Sequence, residues 1–294
     1  MQELTLHLFG SSWLSITVTG FFVGTIVGLT GMGGGALMTP ALIFLGVGNA
    51  STVVTADLTA AAVYKTGGAA VHWREGSPNL RLAGFLILGS VPFALLGPHL
   101  VHAWAGGSED TLDKTLKECI GFALLLAAAT YAIRLYIQLR HVRRGKPNDN
   151  PNPRIRPVPT ILVGAAGGLL VGVTSVGSGS VIMVALLMLY PGLSAVRLVG
   201  TDLVQAVPLV LSAAISNIAI NGLDWQLTLP LIIGSVPGSL LGSRIAPMVP
   251  QSVIRRGIVI VLTVSGIALL DKAGWAPLGA GDDQTHPYLI GIIG

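Results

Sequence analysis

Two apolar stretches of this 294-residue chain repeat one another almost half its length apart. Gly28-Leu29-Thr30-Gly31-Met32-Gly33-Gly34-Gly35 is echoed by Gly172-Val173-Thr174-Ser175-Val176-Gly177-Ser178-Gly179. Asp57 is echoed by Asp202, Gly89-Ser90-Val91-Pro92 by Gly234-Ser235-Val236-Pro237, and Gly97 by Gly242. The offset is 144 residues at the glycines (28 to 172) and 145 at the acids (57 to 202), so one residue has been inserted between the landmarks. A soluble solenoid would need a shorter repeat and more than two copies. Apolar duplicated halves, each interrupted by glycine at the same place, are the sequence pattern of a secondary transporter.

Composition agrees with a membrane chain. Charged residues are 10%, against roughly 25% in soluble domains, and mean hydropathy is +0.75. A net charge of +4 does not point to nucleic acid, because the basic residues sit in short loops between apolar runs. The single cysteine, Cys119, excludes an intramolecular disulfide framework and reads as a small packing residue. The start, Met1-Gln2-Glu3, is acidic where a leader would be basic, so the first apolar run is expected to be a retained helix.

A transmembrane helix needs about 20 mostly apolar residues. Spans are expected near 12–31, 36–48, 51–72, 80–101 and 117–139, then 158–176, 180–191, 197–219, 225–246 and 253–271. Segments 36–48 and 180–191 are short and directly follow the glycine tracts, as the second arms of broken helical hairpins would. The fold class expected is an all-α integral membrane protein of two five-segment repeats with Gly-interrupted hairpins. Five is odd, so the second repeat must enter the bilayer inverted.

Charge supports the inversion. With the N-terminus outside, Arg74, Arg81, Arg134, the six basic residues of 140–157 (His aside), Arg197, Arg244, Arg255 and Arg256 fall on the cytoplasmic side. Only Lys114, Lys117 and Lys272 fall outside, which is a positive-inside bias. The five tryptophans map to span ends, as an interfacial belt requires. The chain divides into a first repeat (1–139), a basic, proline-broken cytoplasmic linker (140–157), a second repeat (158–271) and a tail (272–294). A multi-pass protein of the cytoplasmic membrane is the expected setting.

The glycine tracts cannot sustain a helix well, since each Gly costs about 1 kcal/mol relative to Ala. Each tract therefore turns the chain and opens a short helix whose first N–H groups and dipole face inward. Two inverted repeats aim two such N-termini at one point, which is an anion site. The candidate binding residues are Thr30, Gly33, Gly34, Gly35, Thr174, Ser175, Gly177, Ser178, Gly179 and Ser180. Close helix packing through small residues is the competing reading.

Asp57 and Asp202 lie inside apolar spans at equivalent positions, where a carboxylate costs about 3 kcal/mol. They either carry a coupling proton or brace the broken helices, and the two roles are compatible. Lys65 lies two turns beyond Asp57, about 12 Å along the axis, and its repeat partner is Val210. It either neutralises an anionic substrate or snorkels to the interface. Because Lys65 shares a span with Asp57, Asp202 is the expected proton carrier. Tyr64, Gln205 and Asn217 are lesser polar candidates.

Two rival classes draw on the same residues. Gly177-Ser178-Gly179-Ser180 resembles a nucleophile turn, but an intramembrane serine hydrolase needs a base at depth and the six histidines fall at span ends, in loops or at the terminus. A cation or proton channel lined by Asp57 and Asp202 is the stronger rival. No ATP-binding tract or Cys/His metal spacing appears, so neither an enzyme nor a cofactor is expected. The expected partners are a small anion and the lipid bilayer, with no nucleic acid. A homo-oligomer is compatible with this composition.

The run Gly-x-x-x-Gly-Leu-Thr-Gly-Met-Gly-Gly-Gly-Ala-Leu-Met-Thr-Pro at 24–40, with its second copy ending Thr-Ser-Val-Gly-Ser-Gly-Ser at 174–180, resembles the sulfite exporter TauE/SafE family. The resemblance covers about residues 14–270. It implies a multipass inner-membrane transporter, an exporter of small sulfur-containing or organic anions such as sulfite, sulfoacetate or other sulfonates, coupled to protons. The second copy departs from the pattern, with Ser175, Ser178 and Ser180 where the first has Gly31, Gly34 and Ala36, and Val184 in place of Pro40.

Overall fold

The computed structural model describes residues 2–30, 34–74, 78–144, 154–193, 195–249 and 251–275. Most of the linker, the tail after 275, and Gly31, Met32 and Gly33 of the first tract lie outside the described residues. All expected segments are helices: α1 Gln2–Thr30, α2 Gly35–Leu45, α3 Ala50–Arg74, α4 Leu80–Trp104, α5 Glu109–Arg144, α6 Pro157–Thr174, α7 Val181–Leu189, α8 Ala195–Asn221, α9 Trp225–Ile245 and α10 Gln251–Lys272. Among the described residues there is no strand. Ser12–Thr30, Leu80–Trp104, Glu109–Tyr136, Pro157–Thr174 and Arg197–Asn221 are long and apolar enough to cross a membrane by length and composition.

Local chemistry sets the helix ends. The Asn79 side chain accepts the Leu82 N–H to open α4. At the equivalent repeat position, Asp224 Oδ1 accepts the N–H groups of Gln226 and Leu227 to open α9. Helix α5 starts well before the expected span at 117, because Glu109 and Asp110 occupy its first turn and Asp113 pairs with Lys117 one turn later. Asp113 also accepts the Ala50 N–H, tying the start of α3 to α5.

The surface carries large apolar side chains, and polar side chains are buried within an otherwise apolar core. Phe22, Leu88, Leu96, Ile215, Ile233 and Ile260 are exposed, and Trp104 and Trp225 stand out at helix ends. Thr39, Asp57, Ser90, Thr201, Gln205 and Ser235 are buried. In water this distribution would be unfavourable, whereas in lipid it is the stable one.

The two halves pack by exchange. Helix α1 packs on α9, the fourth helix of the other half, and α6 packs on α4. Glycines spaced by four make both contacts close. A Cβ on Gly24 would overlap the Ser235 backbone, and one on Gly28 the Ser239 carbonyl oxygen. In the other pair, Gly168 lies against the Ser90 carbonyl and Gly172 against that of Ala94. Contact positions climb together in both pairs, so the paired helices are parallel. Small residues let helices approach this closely in lipid.

Helices α3 and α8 form the centre and run in opposite directions. Asn221, the last residue of α8, donates to Thr55 near the start of α3 at 3.4 Å. At the opposite end, the Asn79 N–H just beyond α3 donates to Thr201, near the start of α8, at 2.9 Å.

Candidate functional site

The two glycine tracts meet. A Cβ on Gly35, at the first turn of α2, would overlap the carbonyl oxygen of Ser175, and one on Gly34 would overlap the Tyr64 hydroxyl. Any larger residue at Gly35 must therefore push the tracts apart. Helices α2 and α7 are short, 11 and 9 residues, and neither has a side-chain cap at its N-terminus. The capping position of α7 is Ser180, which is buried with its hydroxyl unpartnered.

The second tract has an unusual backbone. Ser175 ends α6 at φ 60°, Gly177 follows at 121° and Gly179 at 93°, while Val176 and Ser178 between them do not have positive φ. Alternation of this kind turns successive N–H groups to one side and makes an anion-binding concavity. Among the described residues, the N–H groups of Gly177, Ser178 and Gly179 make no hydrogen bond, whereas those of Ser180 and Val181 donate to the Gly177 carbonyl at 3.3 and 3.1 Å. Buried amide donors are nearly always paired, so three in succession await an acceptor.

Lys65 comes to this tract from the other half. Its ammonium donates to the Ser178 hydroxyl, and both residues are buried, at 6% and 3% exposure. The lysine therefore does not snorkel, and its repeat partner Val210 is buried apolar packing. Lys65 lies near both carboxylates, Asp57 of its own helix and Asp202 of α8. The α3–α8 packing thus leaves the lysine near the acid of each half.

The acids are held differently. Thr39 donates to Asp57 Oδ2 at 2.6 Å, and Asp57 Oδ1 makes no hydrogen bond, with Ser175 nearby. Asp202 Oδ1 accepts from Gln205 Nε2 at 3.1 Å. The repeat partners of Thr39 and Gln205 are Met183 and Ala60, so each half braces its acid with a residue the other lacks.

The two threonine hydroxyls bind carbonyls of their own helices. Thr30 donates to the Ile26 carbonyl at 2.7 Å, and Thr174 donates to that of Leu170 at 2.6 Å while accepting the Val176 N–H. Both close the end of their own helix. Asn217 binds the Gly172 carbonyl at 3.0 Å, one turn before the tract, and steadies its approach. Gly33 lies outside the described residues. Arg134, counted as a charge of the cytoplasmic face, is in fact buried at 6% exposure.

The second tract, with its amide donors, the Ser178 hydroxyl and the Lys65 ammonium, lies where the two halves meet. Such a set can hold a small anion and release it. Among the described residues, no group of His, Cys, Asp and Glu could hold a metal ion.

Comparison with known proteins places the chain. It is 36% identical over 257 residues to the probable membrane transporter protein YjnA of Bacillus subtilis (strain 168), covering 87% of this chain and 99% of the relative. It is 25% identical over 258 residues to the probable membrane transporter protein YdhB of the same organism, covering 85% and 97%. No solved structure matches. The model of the family described as sulfite exporter TauE/SafE matches residues 16–269, which include both tracts, Lys65 and both acids. The chain belongs to the sulfite exporter TauE/SafE family of membrane transporters.

Proposed function

We propose that this membrane transporter moves a small oxyanion, such as sulfite or an organic sulfonate, outward across the cytoplasmic membrane, with protons as the coupling ion. The observation that carries this reading is the second tract: three consecutive free amide N–H groups and the Ser178 hydroxyl, with the Lys65 ammonium bonded to it. Backbone donors cost no reorganisation when an anion arrives, and Lys65 supplies the opposite charge. The five-segment repeats are read as inverted, which the opposed courses of α3 and α8 support. Alternating access then follows from rocking one half against the other around a fixed site.

The acids are read as the coupling elements. Asp57, whose Oδ1 is buried and makes no hydrogen bond, is read as the acid that takes the proton. The test is efflux of labelled sulfite, methanesulfonate and sulfate from vesicles holding the purified chain, with and without an imposed pH gradient. Saturable flux of one anion, accelerated by the gradient, is expected. Non-saturating conductance selective for cations would replace this reading with a channel.

A further inference from the structure

Four charged side chains are buried among the described residues: Asp57, Lys65, Arg134 and Asp202. Their formal charges cancel, yet among the described residues no ion pair joins any two of them. Three are engaged, Asp57 with Thr39, Lys65 with Ser178 and Asp202 with Gln205. The Arg134 Nε is buried and makes no hydrogen bond. Its electrostatic neighbour is Asp202, across a gap too wide for a salt bridge. Unlike charges in a low-dielectric interior gain most by closing such a gap. The bundle instead holds these two apart, and α10, where a repeat partner of Arg134 would fall, ends at Lys272 before reaching it.

A guanidinium with its Nε free offers a flat edge of two N–H groups, one on Nε and one on Nη. That edge matches two oxygens on one centre, as in a carboxylate, sulfite or sulfonate, and does not match a halide. Arg134 stands near the end of the apolar part of α5, which finishes at Tyr136. Asp202 lies within the second turn of α8, which starts at the same end of the bundle as α4.

Resting on the transport reading above, we propose that Arg134 is a second substrate-coordinating residue, whose open edge receives two oxygens of the anion on its way between Lys65 and the end of the bundle where α5 finishes. Asp202 balances the guanidinium charge across the gap until the anion comes. Lys65 then sets charge, and Arg134 selects oxyanions over spherical anions.

The test uses the full chain in vesicles, with sulfite counterflow as readout and methanesulfonate and chloride as competitors. Arg134→Gln should raise apparent KM for sulfite tenfold or more. Arg134→Lys, which keeps the charge but loses the fork, should raise it several-fold and narrow the preference for methanesulfonate over chloride as competitor. If Arg134 only neutralises Asp202, the Arg134→Gln/Asp202→Asn double variant should recover wild-type KM, and that recovery overturns the proposal. Wild-type KM in Arg134→Lys also overturns it, including where Arg134→Gln fails to insert. Lys65→Met separates the two levels: KM raised there but unchanged in Arg134→Lys removes only this proposal, and unchanged KM in both removes the site itself.

Discussion

Lys65 of the first half donates its ammonium to Ser178 in the glycine tract of the second. The bond joins the only buried lysine among the described residues to a loop with three unpaired backbone donors. Replacing Lys65 with Met keeps length and packing while removing the charge. A hydrogen bond to a charged group contributes about 1.5–3 kcal/mol, so apparent KM should rise by about ten- to a hundredfold. Ser178→Ala removes a neutral partner worth about 1 kcal/mol and should raise it about fivefold. Transport kinetics on both variants check the ranking, and equal effects would argue that the lysine serves packing alone.

Gly35 governs how closely the tracts approach. Because a Cβ there would overlap backbone of Ser175, Gly35→Val should abolish counterflow, and Gly35→Ala should reduce it strongly. Gly84 and Gly257 have open space around the equivalent position, so Ala at either should leave flux unchanged. Wild-type affinity in Gly35→Val would move the binding site elsewhere.

The acid pair separates coupling from bracing. Asn keeps the shape of Asp but cannot carry a proton. Asp57→Asn should retain substrate counterflow and lose acceleration by a pH gradient. Asp202→Asn should lose less of the gradient response and more of the maximal rate, because it removes the charge facing both Lys65 and Arg134. Gradient-driven flux that is intact in both variants rules out either residue as the carrier.

If the repeats are inverted, the linker and the turn before α5 lie on opposite sides of the membrane. Helix α5 begins at Glu109, so the turn to label is Ala105–Ser108 and not the segment 111–117. In a Cys119→Ser background, Ser108→Cys should react with an impermeant maleimide from outside and Asn150→Cys only after the membrane is opened. Labelling of both from one side would sink the inversion.

Much of this architecture was legible because lipid imposes simple demands. Every expected span is a helix, and both short segments after the tracts are short helices. What escaped was of three kinds. The acidic stretch before 117 reads as a loop by hydropathy, but Glu109, Asp110 and the Asp113–Lys117 pair are good helix-starting chemistry. Arg134 sits two residues from the end of an apolar run, where counting charges by side cannot tell a buried residue from an exposed one. The Lys65–Ser178 bond is non-local: both residues were evident candidates, yet nothing in spacing along the chain links positions in different halves. The glycines at 20, 24 and 28, and at 164, 168 and 172, did carry a readable signal in their spacing of four. Their role in packing α1 on α9 and α6 on α4 emerges only when the helices are brought together.

That exchange of partners has a consequence for how the protein is made. Helix α1 leaves the ribosome well before α9, yet the surface that its glycines fit belongs to α9. Until then its small-residue face has only lipid or the insertion machinery to cover it, and α4 likewise waits for α6. A truncated first half would hold two unmatched glycine-lined or glycine-receiving faces and no completed tract pair. The duplicated unit is therefore half a gene product in sequence only; as a folding unit, each half is completed by the other.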